Sequence, residues 1–331
     1  MTTEHLGWAV TESLRTEGGE RLVPKGGLLD EQAIERMHEL PDRELHLIQI
    51  EDSDIHEDAA GRRICKVATG DGIEVDGPHH SRFNLNAKHR GLLQVDRDLV
   101  KAVNSVGQLS IFTLLDRQAV ARGKTVAGVK ATPIVVPRSD VEAIERIVGD
   151  AGRPVVDVLP FEPKRVFVLA TEDLHPRLRD RFQEMVSHKI GWFGGSVAGV
   201  RFVDGVTDEV AAGFREGLEL GADVFLAAGG NTLDPLDPIF QALPKIGAEI
   251  VHFGAPADPG SMFWVAEVGE KPIFNLASCS MYSQSTVIDL MLPISMAGIR
   301  MSPEHVIDLG YGGLLEDEMA FRFPDYDSED E

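Results

Sequence analysis

The chain has 331 residues, 43% apolar and 26% charged, an ordinary globular composition and a length at which two domains are expected. Its formal net charge of −22 excludes a nucleic-acid surface, which needs clustered Lys and Arg to neutralise phosphate. Two cysteines, Cys65 and Cys279, exclude a disulfide framework and a four-thiolate zinc site, while the lack of a signal pattern or of about 20 consecutive apolar residues makes a cytoplasmic protein with no membrane partner the expectation.

In chain order, residues 28–40 have helical spacing with Asp30 as cap. Residues 44–51 alternate like a half-buried strand. "HEDAAGRR" (56–63) reads as an exposed helix start. "DGPHHSRFNLNAKHRG" (76–91) gathers His79, His80, Arg82, Lys88, His89 and Arg90, an anion-binding patch or a solvated loop. "RGLLQVDRDLVKAVNSV" reads as a strand entering a helix. "QLSIFTLL", "VARGKTVAGVKA" and "ATPIVVP" read as short strands. The texture changes at 150–163, where helix-like "DVEAIERIVGD" gives way to a proline-punctuated segment. An α+β domain of undefined role is therefore expected over 1–155, followed by a second domain over 160–305. Residues 306–331 form an acidic tail. From Glu316 onward it holds eight acidic residues against one arginine, the composition of a solvated end.

The second domain alternates strands and helices. Strands are expected at 164–170, 197–203, 223–228, 248–253, 262–267 and 271–276. Helices are expected at 176–189, with Pro176 in its first turn, and at 207–220, with Thr207 as cap. Further helices should start at Pro238 and cover 283–298. This order implies a mostly parallel sheet with helices on both faces, a three-layer α/β domain. Ligands in such sheets sit at the carboxyl ends of the strands. Loops 171–173, 229–237 and 277–283 occupy that position.

The loop "AAGGNTLDPLDPIF" (227–240) is the most informative. Gly229 and Gly230 permit positive φ and close approach of backbone to a ligand. Their amides, with the start of the next helix, would cradle an anion. Asn231 and Thr232 add neutral donors. Asp234 and Asp237 would repel a bare phosphate, but suit one bridged by Mg²⁺. Asp-Pro is also a good helix start; one of the two aspartates is surplus as the cap of a single helix.

"LGADVFLAAGGNTLDPLDP" resembles the central motif of the molybdopterin-binding domain family, which includes molybdopterin adenylyltransferases, molybdenumtransferases and gephyrin-like proteins. In that motif a strand ends in Gly-Gly, a turn carries Ser or Thr, and an Asp stands seventh after the second Gly. Thr232 and Asp237 occupy those positions. "RVFVLATEDL" (165–174) resembles the family's opening strand. Residues 200–223 resemble its strand-acid-helix segment, with Asp204 at the acidic site. Residues 248–293 resemble its closing segment, although the last loop reads Ala277-Ser278-Cys279-Ser280 where the family has Pro-Gly-Asn-Pro or similar. The resemblance covers about 160 to 298 and is nearest to two-part bacterial molybdopterin-binding proteins.

The resemblance implies that Thr171, Gly229, Gly230, Asn231 and Thr232 hold the phosphate or adenylate of a pterin. It places Ser278, Cys279, Ser280 and Ser283 toward the pterin end. Asp237, with Asp204 or Asp173, would hold Mg²⁺, and Asp237 is the candidate catalytic residue. The implied ligand is molybdopterin, with Mg²⁺ and, for an adenylyl transfer, ATP. The implied work is molybdenum cofactor biosynthesis, by Mg²⁺-assisted nucleotidyl transfer or molybdate insertion. A non-catalytic carrier or sensor, and a nucleotide pyrophosphatase of the competence-damage-associated type, are the alternatives. A second copy of the chain or a molybdoenzyme maturation partner is the implied protein partner.

Overall fold

The computed structural model of the chain describes residues 3–171, 174–230, 232–276 and 285–328. It divides into two compact units. The first comprises 1–88, 94–116 and 123–158; the second comprises 89–93, 117–122 and 159–331.

The first unit centres on four antiparallel strands in the order Ile73–His79, Arg82–Ala87, Thr125–Ala131, Leu109–Thr113. Helices Glu57–Ala68 and Arg138–Ala151 pack together, and the former lies against the sheet. The segment at 56–63 does start a helix, but not an exposed one: Ala60, Gly61, Ile64 and Cys65 are buried along its inner face. Asp30 caps helix Glu31–Glu35 by accepting from the Ala33 amide at 2.7 Å. Of the alternating run 44–51 only Leu47–Ile48 becomes strand, paired with Ala9–Val10. The 76–91 patch is divided between the two units. His79 bonds Asp76, Lys88 bonds the Asp71 carbonyl and Arg82 lies over the Phe112 ring, whereas His89 and Arg90 belong to the second unit.

In the second unit the six strands β1 (Arg165–Ala170), β2 (Ser196–Phe202), β3 (Val224–Ala228), β4 (Ala248–Phe253), β5 (Trp264–Val268) and β6 (Lys271–Leu276) form one sheet in the order β2-β1-β3-β6-β5-β4. The pairs β2–β1, β1–β3 and β3–β6 are parallel; β6–β5 and β5–β4 are antiparallel. Helices α1 (Pro176–Trp192), α2 (Thr207–Glu219), α3 (Pro238–Ala242), α4 (Val287–Met296) and α5 (Pro303–Ile307) complete the alternation. Because successive strand side chains point to opposite faces, β1 feeds two cores. Val166, Val168 and Ala170 join Phe182, Val186 and Ile190 of α1 and the buried side chains of α4. Phe167 and Leu169 join Val210 and Phe214 of α2 and Ile239 of α3. Gly217 lets α2 approach closely, since a Cβ there would stand 2.6 Å from the Phe225 ring and 2.7 Å from that of Phe167.

Two elements, the cap of α2 and the C-terminal segment, depart from expectation, and α3 starts at Pro238 as expected. Val206, not Thr207, is the cap residue of α2, and Thr207 opens the helix. Helix α3 lasts five residues, and Pro244, which lacks an amide donor for the next helical bond, then begins a 3₁₀ turn. The acidic C-terminal segment is not solvated throughout. Val306, Leu309 and Leu315 enter the core shared with α1 and α4. Tyr326 meets Trp192 and Phe193 edge-on at 5.7 and 5.9 Å, while Asp325 and Asp327 stay exposed. Among the described residues no helix is long and apolar enough to cross a membrane.

Candidate functional site

The four parallel strands end in step. Ala170 stands opposite both Phe202 and Ala228, and Ala228 opposite Leu276. The residues that follow are therefore brought to one edge: Thr171 after β1, Asp204 after β2, Gly229 and Gly230 after β3. The chain segments are tied together as they leave the sheet. The Thr171 amide donates to the Ala228 carbonyl at 3.0 Å, and the Val203 amide to that of Ala170 at 2.9 Å. The Thr171 hydroxyl also reaches the Ala228 carbonyl, at 3.5 Å.

Gly229 and Gly230 both take left-handed φ, 88° and 81°, a conformation that L side chains avoid. At Gly230 there is no room for a side chain either. A Cβ would lie 2.8 Å from Ile239 Cδ1 and 3.1 and 3.4 Å from the two carboxylate oxygens of Asp237. The loop thus turns back so that Asp237 rests against the second glycine. Asp237 is 8% exposed. Its Oδ1 accepts from the Ile239 amide at 2.9 Å, capping α3, and its own amide donates to the Asp234 carbonyl at 3.0 Å. Asp234 is exposed and accepts from the Leu236 amide at 2.9 Å. Asp237 alone caps helix α3, and Asp234 closes the preceding turn, so one aspartate is indeed surplus as a helix cap. With only five residues, α3 contributes little dipole to the edge.

Thr232 is half-buried and Asp204 exposed. Asp204 follows β2 and the glycine pair follows β3, and β1 lies between those two strands in the sheet. Of the three expected metal ligands, Asp237 and Asp204 are described and Asp173 lies outside the described residues, as do Asn231, Ser278, Cys279, Ser280 and Ser283. Among the described residues no three His, Cys, Asp or Glu side chains cluster to hold a metal ion.

The structure adds a set of residues that the sequence reading overlooked. Asp289, 2% exposed, stands in the first turn of α4. Its Oδ2 accepts from the Thr286 amide at 2.8 Å, closing a capping box. Its Oδ1 accepts from Lys189 Nζ and from Tyr326 Oη, each at 2.7 Å. The Lys189 ammonium also lies 5.0 Å from the Tyr326 ring centre. Burial first, then the neighbouring Asp289 charge and hydrogen bond, push the Tyr326 phenol well above its usual range. The signal was present as Thr286-x-x-Asp289, a capping-box pattern; the partners on α1 and in the tail carry no local mark.

No protein-family model matches the chain, and no curated protein matches it. Among solved structures it is similar to a molybdopterin biosynthesis protein from Mycobacterium abscessus, at 15% identity and TM-score 0.33, covering 41% of this chain and 96% of that one. It is similar to the molybdopterin biosynthesis Mog protein from Mycobacterium ulcerans, at 13% identity and TM-score 0.31, covering 41% of this chain and 97% of that one. It is also similar to the molybdopterin biosynthesis moea protein from Pyrococcus horikosii, at 13% identity and TM-score 0.31, covering 74% of this chain and 79% of that one.

Proposed function

We propose that the carboxyl edge of the second unit's sheet binds a phosphorylated pterin of the molybdopterin type, and that the chain acts in molybdenum cofactor biosynthesis. One observation carries this reading. Asp237, seventh after Gly230, folds back against that glycine, which is held at φ 81° at the end of a parallel strand. The residue spacing that resembles the molybdopterin-binding motif thus corresponds to a real approach in space. Glycine at 229 and 230 leaves backbone uncovered at the strand end, where a ligand phosphate would be bound by amides. Thr232 and Thr171 would supply hydroxyls at the same edge.

The donor set fits Mg²⁺. That ion is commonly held by one or two carboxylates, with waters and phosphate oxygens completing the octahedron, so Asp237 alone, or with Asp204 through water, meets the need. When bound, Mg²⁺ would neutralise phosphate charge. The protein's own part is to fix the Asp237 carboxylate through the Ile239 amide and to hold it against Gly230. The finer reading is Mg²⁺-assisted nucleotidyl transfer, with ATP as donor, or molybdate insertion, carried out by the 160–305 segment as a three-layer parallel domain.

The test is retention of molybdopterin by the purified full chain, read from the fluorescence of the oxidised, released pterin. The wild type should retain it and Gly230→Ala should not. A wild type that takes up no added molybdopterin would falsify the reading. Turnover of Mg·ATP with molybdopterin separates transfer from carriage.

A further inference from the structure

At the amino-terminal edge of the same sheet, away from the glycine loop, lie two adjoining cavities of about 220 and 530 Å³. They share Glu267, Arg300 and Met301. The smaller is also lined by Asp223, Glu270, Lys164 and Ser295; the larger is lined by Glu249.

The charges here are arranged against the stability of the sheet. Glu249 on β4 and Glu267 on β5 stand directly opposite each other in the antiparallel ladder, a like-charge pairing that destabilises a sheet. Glu270 lies in the turn that follows β5. The cations nearby are already engaged. Arg300 Nε lies 2.9 Å from Glu267, and Lys164 Nζ lies 2.9 Å from Glu162. Lys271 approaches Asp223 only to 3.9 Å. Glu249 and Glu270 add negative charge that these pairs do not offset. In the wall of the smaller cavity, Ser295 is 3% exposed. Its hydroxyl has no hydrogen-bond partner among the described residues, a condition that native proteins relieve with water or a ligand. The carboxylates do not converge on one point to hold a metal ion. They are spread along a groove, which suits a flexible chain with positive charge at intervals.

We propose that this groove is a binding site for an aliphatic polyamine, its ammonium groups placed between the Glu249–Glu267 pair and near Glu270 and Asp223, with Ser295 as a further acceptor at the inner end. The proposal is independent of the pterin reading.

The experiment is calorimetric titration of the full chain with spermidine, and with putrescine, at constant ionic strength set by NaCl. Saturable binding to one site is expected, tighter for spermidine because it carries one more ammonium group. The double variant Glu249→Gln/Glu270→Gln should weaken it by about tenfold or more, as charge-assisted hydrogen bonds are lost. Both positions are exposed and the variant removes one like charge from the Glu249–Glu267 pair, so its melting temperature should be at or above that of the wild type. Glu12→Gln/Glu17→Gln, in the first unit, should leave binding unchanged. Absence of saturable binding at millimolar amine overturns the proposal. So does equal weakening by the two double variants, which would show general attraction to an acidic protein. Ordered water alone in the groove of an amine-soaked crystal overturns it as well.

Discussion

At the scale of single residues, Asp237 has two roles that can be separated. Asn caps helices about as well as Asp, so Asp237→Asn should keep the bond to the Ile239 amide while removing the charge. Its melting temperature should match the wild type and its pterin retention should lose any dependence on Mg²⁺. Asp237→Ala should additionally cost about 1 kcal/mol of stability, visible in thermal unfolding. An Asn variant that retains pterin with undiminished Mg²⁺ dependence would remove the metal role. Gly230→Ala must adopt left-handed φ and press on Ile239 and Asp237, at a cost of about 1–3 kcal/mol. Tyr326 gives a pH test. Its phenol is raised in the folded state, so the unfolded chain loses the proton first. The stability it contributes is complete below pH of about 10, the unfolded value, and declines as pH rises beyond it. Tyr326→Phe should flatten the fall in melting temperature above about pH 10, and an unchanged alkaline slope would refute the assignment.

At the scale of elements, α4 depends on one carboxylate. Asp289 closes the capping box and holds Lys189 and Tyr326. Asp289→Ala leaves a largely buried ammonium unpaired and should cost about 3–5 kcal/mol in urea unfolding. Asp289→Asn, which can still cap, should cost less. Elements were legible where their signal is local. Asp30 and Pro176 mark helix starts by side-chain chemistry, and the apolar run 224–228 is a strand covered on both faces. The Gly-Gly pair at the end of that run announced the left-handed turn at 229–230. Elements decided by neighbours were not legible. The alternation at 44–51 reads as a long strand, but only two residues find a partner. The sequence left open which of Asp234 and Asp237 caps the helix, and the fold assigns it to Asp237, with Asp234 closing the turn before it.

At the scale of the whole molecule, the sequence analysis expects a boundary at the change of texture near 150–163, and the compact units are not contiguous in the chain. The sequence did not disclose that the second unit also takes 89–93 and 117–122. Segments of five or six residues have no period to read, and their membership is fixed by distant packing. Leu92, fully buried, and Ala119 pair across Gly91–Val95 and Ala119–Val120 and lie in the core that holds α1 and α4. The Arg90 guanidinium lies 4.7 Å from the Trp192 ring centre and donates to the Trp192 carbonyl at 2.8 Å. A fragment 159–331, cut where the composition changes, therefore lacks part of its own core. Loss of a buried leucine alone costs about 2–5 kcal/mol, a large share of a domain's total of about 5–15 kcal/mol. The fragment should melt well below the full chain, with Trp192 fluorescence shifted to the red and hydrophobic-dye binding increased. A fragment as stable as the full chain, with native Trp192 emission, would show that these two segments are dispensable to the second unit.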